Sequence, residues 1–400
     1  MLQCDVSERP AGEPVVERRY VVAPHLMLEA HDDAHAIVVN TATGARAKVS
    51  IAAFRMLSRF DVPRTVSDVF GRSDDGRAAA RVRALVDHGL LWDAEAKRPA
   101  DKPRRRPAPF RFCNAPSYAA SGARADVVVL GVPYDLGGSD NGREGPLAVR
   151  QKSLDYTYMV DFDARQPAGW FDAGAGARIL EGVRIADADD IPWIHGEPQR
   201  AVFERVVVTL DELLPDHGVP LVLAGDASVS HAVAAWCAGR HPLSVVHFAA
   251  EGTAGEREGE SVTVHDVARA MIRIPNVRSV ATAGLREVSG YAPPPGVSEV
   301  TATQLRSGDH GDLVAALSLA ERVLLSIDMD VVDVSTPPSG KGMSLREVRE
   351  AIQAIGDRHR IVGVVVSGLD PSTPMGPVAA IVACHLALQA LHVATLRRAG

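Results

Sequence analysis

Acidic side chains recur just beyond short apolar runs in this chain. The run 127–130 leads to Asp135, 221–223 to Asp226, 245–248 to Glu251, and 323–327 to Asp328 and Asp330. Two further runs, 280–283 and 361–366, lead to Arg286 and Asp370. Carboxylates gathered at one edge are what a divalent cation or a cationic substrate requires. Asp328 and Asp330, two residues apart, share one face of a strand that runs through both. The same acids also suit N-caps of following helices or partners for Arg286, and that alternative stays open. Arg143, in a glycine-rich loop, reads as a loop-fixing or substrate-carboxylate contact. His231 and His247 lie in apolar surroundings and read as packing histidines. The string Ser228-Val229-Ser230-His231 lacks the flanking glycines of a nucleophile elbow, so serine catalysis is not indicated.

The elements that must position these groups follow from patterning. Over 111–400, β-branched runs bounded by Gly, Asp or Pro alternate with helical stretches, which argues an α/β domain with a parallel sheet covered on both faces. Chemistry in such sheets lies beyond the C-terminal strand ends, where the acids fall. Residues 15–94 read differently. Leu26, Leu28 and Ala30 alternate, 36–39 and 47–49 make two more short strands, and 40–44 is a turn cluster. Ser50 is placed to cap a helix, 65–70 and 78–88 read as two more, and Gly89 suits the position after the last. This is a small winged-helix-like α+β domain. Residues 95–110 between the two hold six Lys or Arg among prolines and predict an extended linker.

Composition bounds the function classes. The chain has 400 residues, 46% hydrophobic and 23% charged, ample for two packed domains. Its formal charge of −7 argues against nucleic-acid binding. Four separated cysteines without a CxxC signal neither a zinc ribbon nor a disulfide framework and predict reduced thiols. No signal peptide is apparent, and no charge-free apolar run of 18 residues is read, so no membrane span is expected and the location expected is cytoplasmic.

Two resemblances add to this reading. The segment "LEAHDDAHAIVVNTATGARAKVSIAAFRMLSRFDVPRTVSDVF", with "VRALVDHGLLW" closing it, resembles the PqqD-like leader-recognition domains of ribosomal peptide pathways. It implies a domain that binds a precursor's leader peptide as an added strand. The later region resembles the ureohydrolase superfamily (arginase, agmatinase, formiminoglutamase) over nearly all of 125–395. The segments that carry it, in order, are "LGVPYDLGGSDNGREGPLAVRQKS", "LVLAGDASVSHAV", "SVVHFAAEGTAG", "VATAGLRE", "VLLSIDMDVVDVSTPP" and "IVGVVVSGLDPSTP". The resemblance implies a three-layer arginase-like sheet and hydrolysis of a guanidinium by a hydroxide bridging two Mn²⁺ ions.

The family's ligands map onto this chain unevenly. Asp328 and Asp330 match. Ala227, Ala249, Glu251 and Thr253 stand where the resemblance puts a histidine, an aspartate, a histidine and an aspartate. A methyl group coordinates nothing, so a paired centre is not expected. Glu251, Asp328 and Asp330 together suit one hard cation. The family's substrate-gripping acids fall at Gly368 and Val365, and the proline-rich loop after Asp333 is shorter than usual. His265 sits where the family often has a substrate-facing histidine, and Asp226 where it has a group supporting the ligands. The cofactor expected is one divalent cation, Mn²⁺ or Mg²⁺, or none.

Three functions are then weighed. The first is a ribosomal-peptide tailoring protein whose chemistry differs from binuclear manganese hydrolysis. The second is an inactive leader-binding scaffold or the subunit of a partner enzyme. The third is a peptide arginase converting arginine side chains to ornithine. The partner expected is a precursor peptide, and self-association is left open.

Overall fold

In the computed structural model, residues 18–23, 26–40, 45–71, 75–94, 105–121, 125–135, 142–192, 198–214, 218–252, 261–286, 292–308, 310–334 and 342–396 are described. The chain divides into two units, Met1–Arg104 and Arg105–Gly400. The second is built on eight strands: β1 Val127–Val132, β2 Ile185–Asp190, β3 Val219–Ala224, β4 Leu243–Phe248, β5 Val277–Leu285, β6 Val297–Thr301, β7 Arg322–Asp328 and β8 Arg360–Ser367. They lie in the order β2-β1-β3-β8-β7-β4-β5-β6. Every neighbouring pair is parallel, with Leu221 of β3 opposite Val129 on one side and Val364 on the other.

Both faces of this sheet are covered, which is why its strands are apolar without interruption. Val219, Leu221 and Leu223 pack into a core shared with helices Gly145–Ser153, Leu345–Arg358 and Gly376–Leu396. Val222 and Ala224, turned the other way, join a core with helices Gln199–Leu213, Val229–Ala238 and Val267–Ile272. The period of two deals residues alternately to the two layers. The three-layer arginase-like α/β class expected from the sequence is the architecture found.

Three expectations change. The edge strands β2 and β6 were not foreseen, because "IADADD" and "VSEVT" mix acids into short segments. Helix Gly376–Leu396 contradicts the reading that no charge-free apolar run exists: its mean hydropathy is 1.7. Most of that helix is buried inside the unit, the position of a core helix. The expected linker 95–110 is not extended throughout. Residues 95–104 lie outside the described residues, and the chain from Arg105 onward is docked. Arg106 exchanges backbone hydrogen bonds of 2.8 and 3.0 Å with Asp190, and Ala108 N–H donates to Asp189 Oδ1 at 3.2 Å. An open sheet edge offers unpaired backbone groups to such a segment.

The first unit is α+β. Strands Leu26–His31, His35–Asn40 and Ala45–Ser50 form an antiparallel meander. Helix Ile51–Leu57 begins where Ser50 Oγ accepts the Ala53 N–H at 3.2 Å. Thr65 and Asp68 form a reciprocal cap on Val66–Phe70. Helix Asp75–Asp87 closes at Gly89, whose φ of 67° lets its N–H reach Val86 O and the next N–H reach Leu85 O, at 2.9 and 2.8 Å. A second sheet pairs Arg19–Val22 with Arg64–Thr65 and Leu91–Asp93, and none of these three strands was foreseen. Phe60, Val82 and Leu91 anchor this unit's core. Residues 41–44 of the expected turn lie outside the described residues.

Candidate functional site

Five adjacent strands, β1, β3, β8, β7 and β4, open at their C-terminal ends onto one cleft of about 200 Å³. Asp135 and Gly142 line it after β1, Gly225, Asp226 and Ala227 after β3, and Gly368 after β8. Asp328 and Asp330 come from the end of β7, and His247, Ala249 and Glu251 from β4 and its exit. Val264 and His265 close it from a loop. The sheet therefore gathers Asp135, Asp226, Glu251, His265, Asp328 and Asp330, all six of which the sequence singles out. It leaves Arg143 and Arg286 outside the lining.

The local bonding explains each orientation. Asp226 Oδ1 accepts both the N–H and the hydroxyl of Ser228, at 2.9 and 2.5 Å. Asp328 ends β7, and Asp330 sits in the single turn Met329–Val331. The pair does not share a strand face as expected. Instead the Asp330 N–H donates to Asp328 Oδ1 at 3.1 Å, and Asp330 Oδ1 accepts the Ala250 N–H at 3.1 Å. Arg286 donates to the Asp330 carbonyl at 3.1 Å, a backbone contact that braces this turn. Arg143 donates to the Asp135 carbonyl at 3.3 Å, the loop-fixing role among those expected. Glu251 Oε2 meets His265 Nδ1 at 3.3 Å at the exposed mouth.

Burial dominates the electrostatics. It pushes the Asp328 carboxyl well above the usual range, and the charges of Asp330 and Asp226 push further. It raises Asp330 to about 6, against the Ala250 amide and Arg286, which favour the ionised form. His247 goes the other way: burial lowers it to about 4.

Two contributors escaped the sequence reading. His247, taken as a packing histidine, lines the cleft, with Nδ1 3.0 Å from Ser326 Oγ. Its strand position, four residues before Glu251, was the available signal. Gln199, on a helix remote in sequence, grips Val262 through its carbonyl and its N–H, both at 2.8 Å, and so fixes the loop that carries His265. No local pattern marks it. His231 is a packing residue, stacked on Phe203 with ring centroids 5.6 Å apart.

The donor set tests whether a metal pair fits. Among the described residues, no group of three His, Cys, Asp or Glu side chains is placed to hold a metal ion. Ala227 and Ala249 present methyl groups to the cleft. Among the described residues, those lining the cleft do not bring together the donors of a paired manganese centre. Thr253 lies outside the described residues, as do 136–141 of the glycine-rich loop and 335–341 of the proline-rich one.

The fold that carries this cleft has known counterparts. Residues 125–393 match the arginase family, and the chain belongs to it. It is similar to the N(1)-aminopropylagmatine ureohydrolase of Thermococcus kodakarensis, 30% identical over 60% of this chain and 81% of that protein. It is also similar to the proclavaminate amidinohydrolase of Streptomyces clavuligerus, 29% identical over 67% of this chain and 87% of the relative. The solved structure of the Streptomyces enzyme superposes with a TM-score of 0.58 at 24% identity, covering 73% of this chain and 98% of that one. A Trypanosoma cruzi formiminoglutamase solved with Mn²⁺ gives a TM-score of 0.54 at 17% identity, over 70% and 98% of the two chains. These likenesses between structures speak to fold.

Proposed function

We propose that this chain is a tailoring protein of ribosomal peptide biosynthesis built on the ureohydrolase fold. Its first unit captures a precursor's leader as an added strand. Its acidic cleft receives a cationic side chain of the attached core peptide, without a paired manganese centre. The observation that carries this reading is the cleft itself, lined by Asp135, Asp226, Glu251, Asp328 and Asp330 together with Ala227 and Ala249. Buried carboxylates that resist ionisation are relieved by an entering cation. A guanidinium or ammonium supplies that charge through hydrogen bonds and needs no closed cage of ligands.

The first unit supports the peptide half of the reading. Leu26–His31 and Ala45–Ser50 are the two outer strands of the meander, each paired on one side within its sheet. Such strands accept another by main-chain hydrogen bonding. The Pro- and Arg-rich stretch after residue 94 suits a tether, which raises the effective concentration of a captured peptide to roughly millimolar.

A second reading, an inactive leader-binding scaffold or partner subunit, is favoured by the lack of a three-donor metal group among the described residues. The test uses peptides encoded by short reading frames beside the gene, the purified full chain, and the chain lacking residues 1–95. Elemental analysis after Mn²⁺ loading and mass spectrometry of the peptide are read together. The proposal expects leader affinity that disappears with the deletion, fewer than two Mn²⁺ per chain, and a product other than ornithine. Affinity without any mass change supports the scaffold. Two Mn²⁺ per chain with ornithine formation supports a peptide arginase. Affinity unchanged by the deletion overturns leader capture.

A further inference from the structure

The first residues of β7 and β8, Arg322 and Arg360, stand directly opposite each other in the parallel register. Their neighbours Val323 and Ile361 pack into the core on one side of the sheet, so alternation turns both arginines to the other side, toward helix Val229–Ala238. Like charges facing each other across a ladder are destabilising. No carboxylate among the described residues forms an ion pair with either one. Glu321, next to Arg322, contributes its backbone carbonyl, which accepts the Arg360 N–H at 2.9 Å. The Arg360 Nε is buried and makes no hydrogen bond among the described residues.

The turn after that helix adds to the charge. Arg240 lies over the Trp236 ring, 4.2 Å from its centroid, and is spent on Asp211 at 2.5 Å and the Leu214 carbonyl at 3.2 Å. His241 is exposed, and its imidazole forms no hydrogen bond or ion pair among the described residues. Partial burial, then the charges of Arg322, Arg360 and Arg240, hold it below its ordinary value, so three guanidinium groups converge on this ring. The helix end does not absorb them. Ala235 O accepts the Gly239 N–H, Cys237 O accepts those of Arg240 and His241, and Ala238 O accepts the Asn276 side-chain amide.

Asp211 is the one carboxylate among the described residues that pairs within this group, and it belongs to Arg240. Arg322 and Arg360 therefore remain half-buried without a counter-charge. Partial burial strengthens their repulsion. A doubly charged oxyanion removes it by accepting hydrogen bonds from both. Paired arginines suit phosphate because each presents a planar fork of donors.

We propose that the amino ends of β7 and β8, closed by the His241 turn, form a binding site for a phosphate group. Its donors are the terminal nitrogens of Arg322 and Arg360 and the His241 ring. The site lies at the opposite edge of the sheet from the acidic cleft, about 20 Å away along the strands. The inference therefore does not depend on the chemistry of that cleft or on leader capture. Inorganic phosphate and the terminal phosphate of a phosphorylated small molecule present the same oxygens.

Melting temperature and calorimetric titration of the purified full chain read the site, with inorganic phosphate, ADP and, at matched ionic strength, chloride as probes. The parent should show a saturable response to phosphate and none to chloride. Arg322→Gln and Arg360→Gln should each weaken phosphate binding by about tenfold or more. Each should also raise the melting temperature in phosphate-free buffer, because the facing charges are relieved. His241→Glu, at an exposed position, should abolish the response, and it keeps the test decisive where an arginine variant fails to fold. Arg200→Gln, on an exposed helix face, should leave the response unchanged. Tighter binding of ADP than of phosphate supports a phosphorylated molecule as the ligand, and equal or weaker binding supports free phosphate. No saturable response to either overturns the inference, as does a response that survives His241→Glu. A lower melting temperature in both glutamine variants, with phosphate affinity unchanged, would make the arginine pair structural and also overturns it.

Discussion

A Cβ added to Gly368 would fall 1.9 Å from Asp328 Oδ1, so the carboxylate occupies space that any side chain at 368 would take. The backbone there has a φ of +73°, which glycine adopts without strain. The resemblance to the ureohydrolases puts a substrate-gripping acid at this position. Here the last strand instead makes room for Asp328.

Gly368→Ala therefore carries two penalties, the positive φ and the collision. Gly308 has a φ of +76° with nothing within 4 Å of its added Cβ, so Gly308→Ala isolates the first. Urea denaturation should show Gly308→Ala costing about 1 kcal/mol and Gly368→Ala about 2–4 kcal/mol. Equal losses would mean that Asp328 moves aside freely.

Arg150 is wholly buried and holds Asp187 at 2.8 Å and Asp190 at 2.5 Å. Arg150→Met leaves two carboxylates inside the unit without a counter-charge. The expected loss is about 3–5 kcal/mol, read from the denaturation midpoint. A midpoint within error of the parent would refute the pairing.

Asp330 has a folded-state value near 6 against an ordinary value of 3.8. Between the two, the unfolded chain releases a proton that the folded chain keeps, so stability falls as pH rises. The contribution is fully present below pH 3.8 and lost as pH passes about 6. Asp330→Asn should remove this slope, making the variant relatively more stable than the parent at pH 7 than at pH 4. Melting temperatures across that range test the sign.

His247 works in the opposite direction. Its folded value of about 4 lies below the ordinary 6.5, so the unfolded chain binds the proton first as pH falls. Its penalty is absent above pH 6.5 and complete below about 4. His247→Leu should lessen the loss of stability on acidification over this window, at the cost of its contact with Ser326. A steeper acid loss in the variant would contradict the burial argument.

Ala227→His with Ala249→Asp adds donors at two cleft positions where the resemblance places them. Manganese bound per chain should rise in elemental analysis, with a Mn²⁺-dependent increase in melting temperature that the parent lacks. Overpacking two buried sites costs about 1–3 kcal/mol, so the comparison is between each variant with and without metal. Equal manganese in parent and variant would mean that the two alanines are not what limits binding.

The strands that could be read from the sequence are those buried on both faces, because a largely apolar run such as "VLLSI" has few other places to go. The edge strand β2 spends Asp187 and Asp190 on Arg150, a partner 37 or more residues away, and so looks like a loop when read locally. Helix Gly376–Leu396 carries the same lesson in reverse. Its composition alone passes for a membrane span, and its neighbours make it a core.

For the site, residue type and strand position by themselves determined that Asp135, Asp226, Glu251, Asp328 and Asp330 gather at one edge. Parallel strands place their carboxyl ends together, which brings these acids to one edge, whereas Asp370, also past a strand end, accepts the Ser372 N–H and does not line the cleft. Tertiary structure alone decided that His247 faces the cleft and that Asp330 turns off the strand to bind the Ala250 amide. It also decided that Arg143 and Arg286 spend their guanidinium groups on backbone carbonyls outside the lining. Those outcomes depend on which chemical partner lies within a few ångströms, and only packing between distant segments sets that distance.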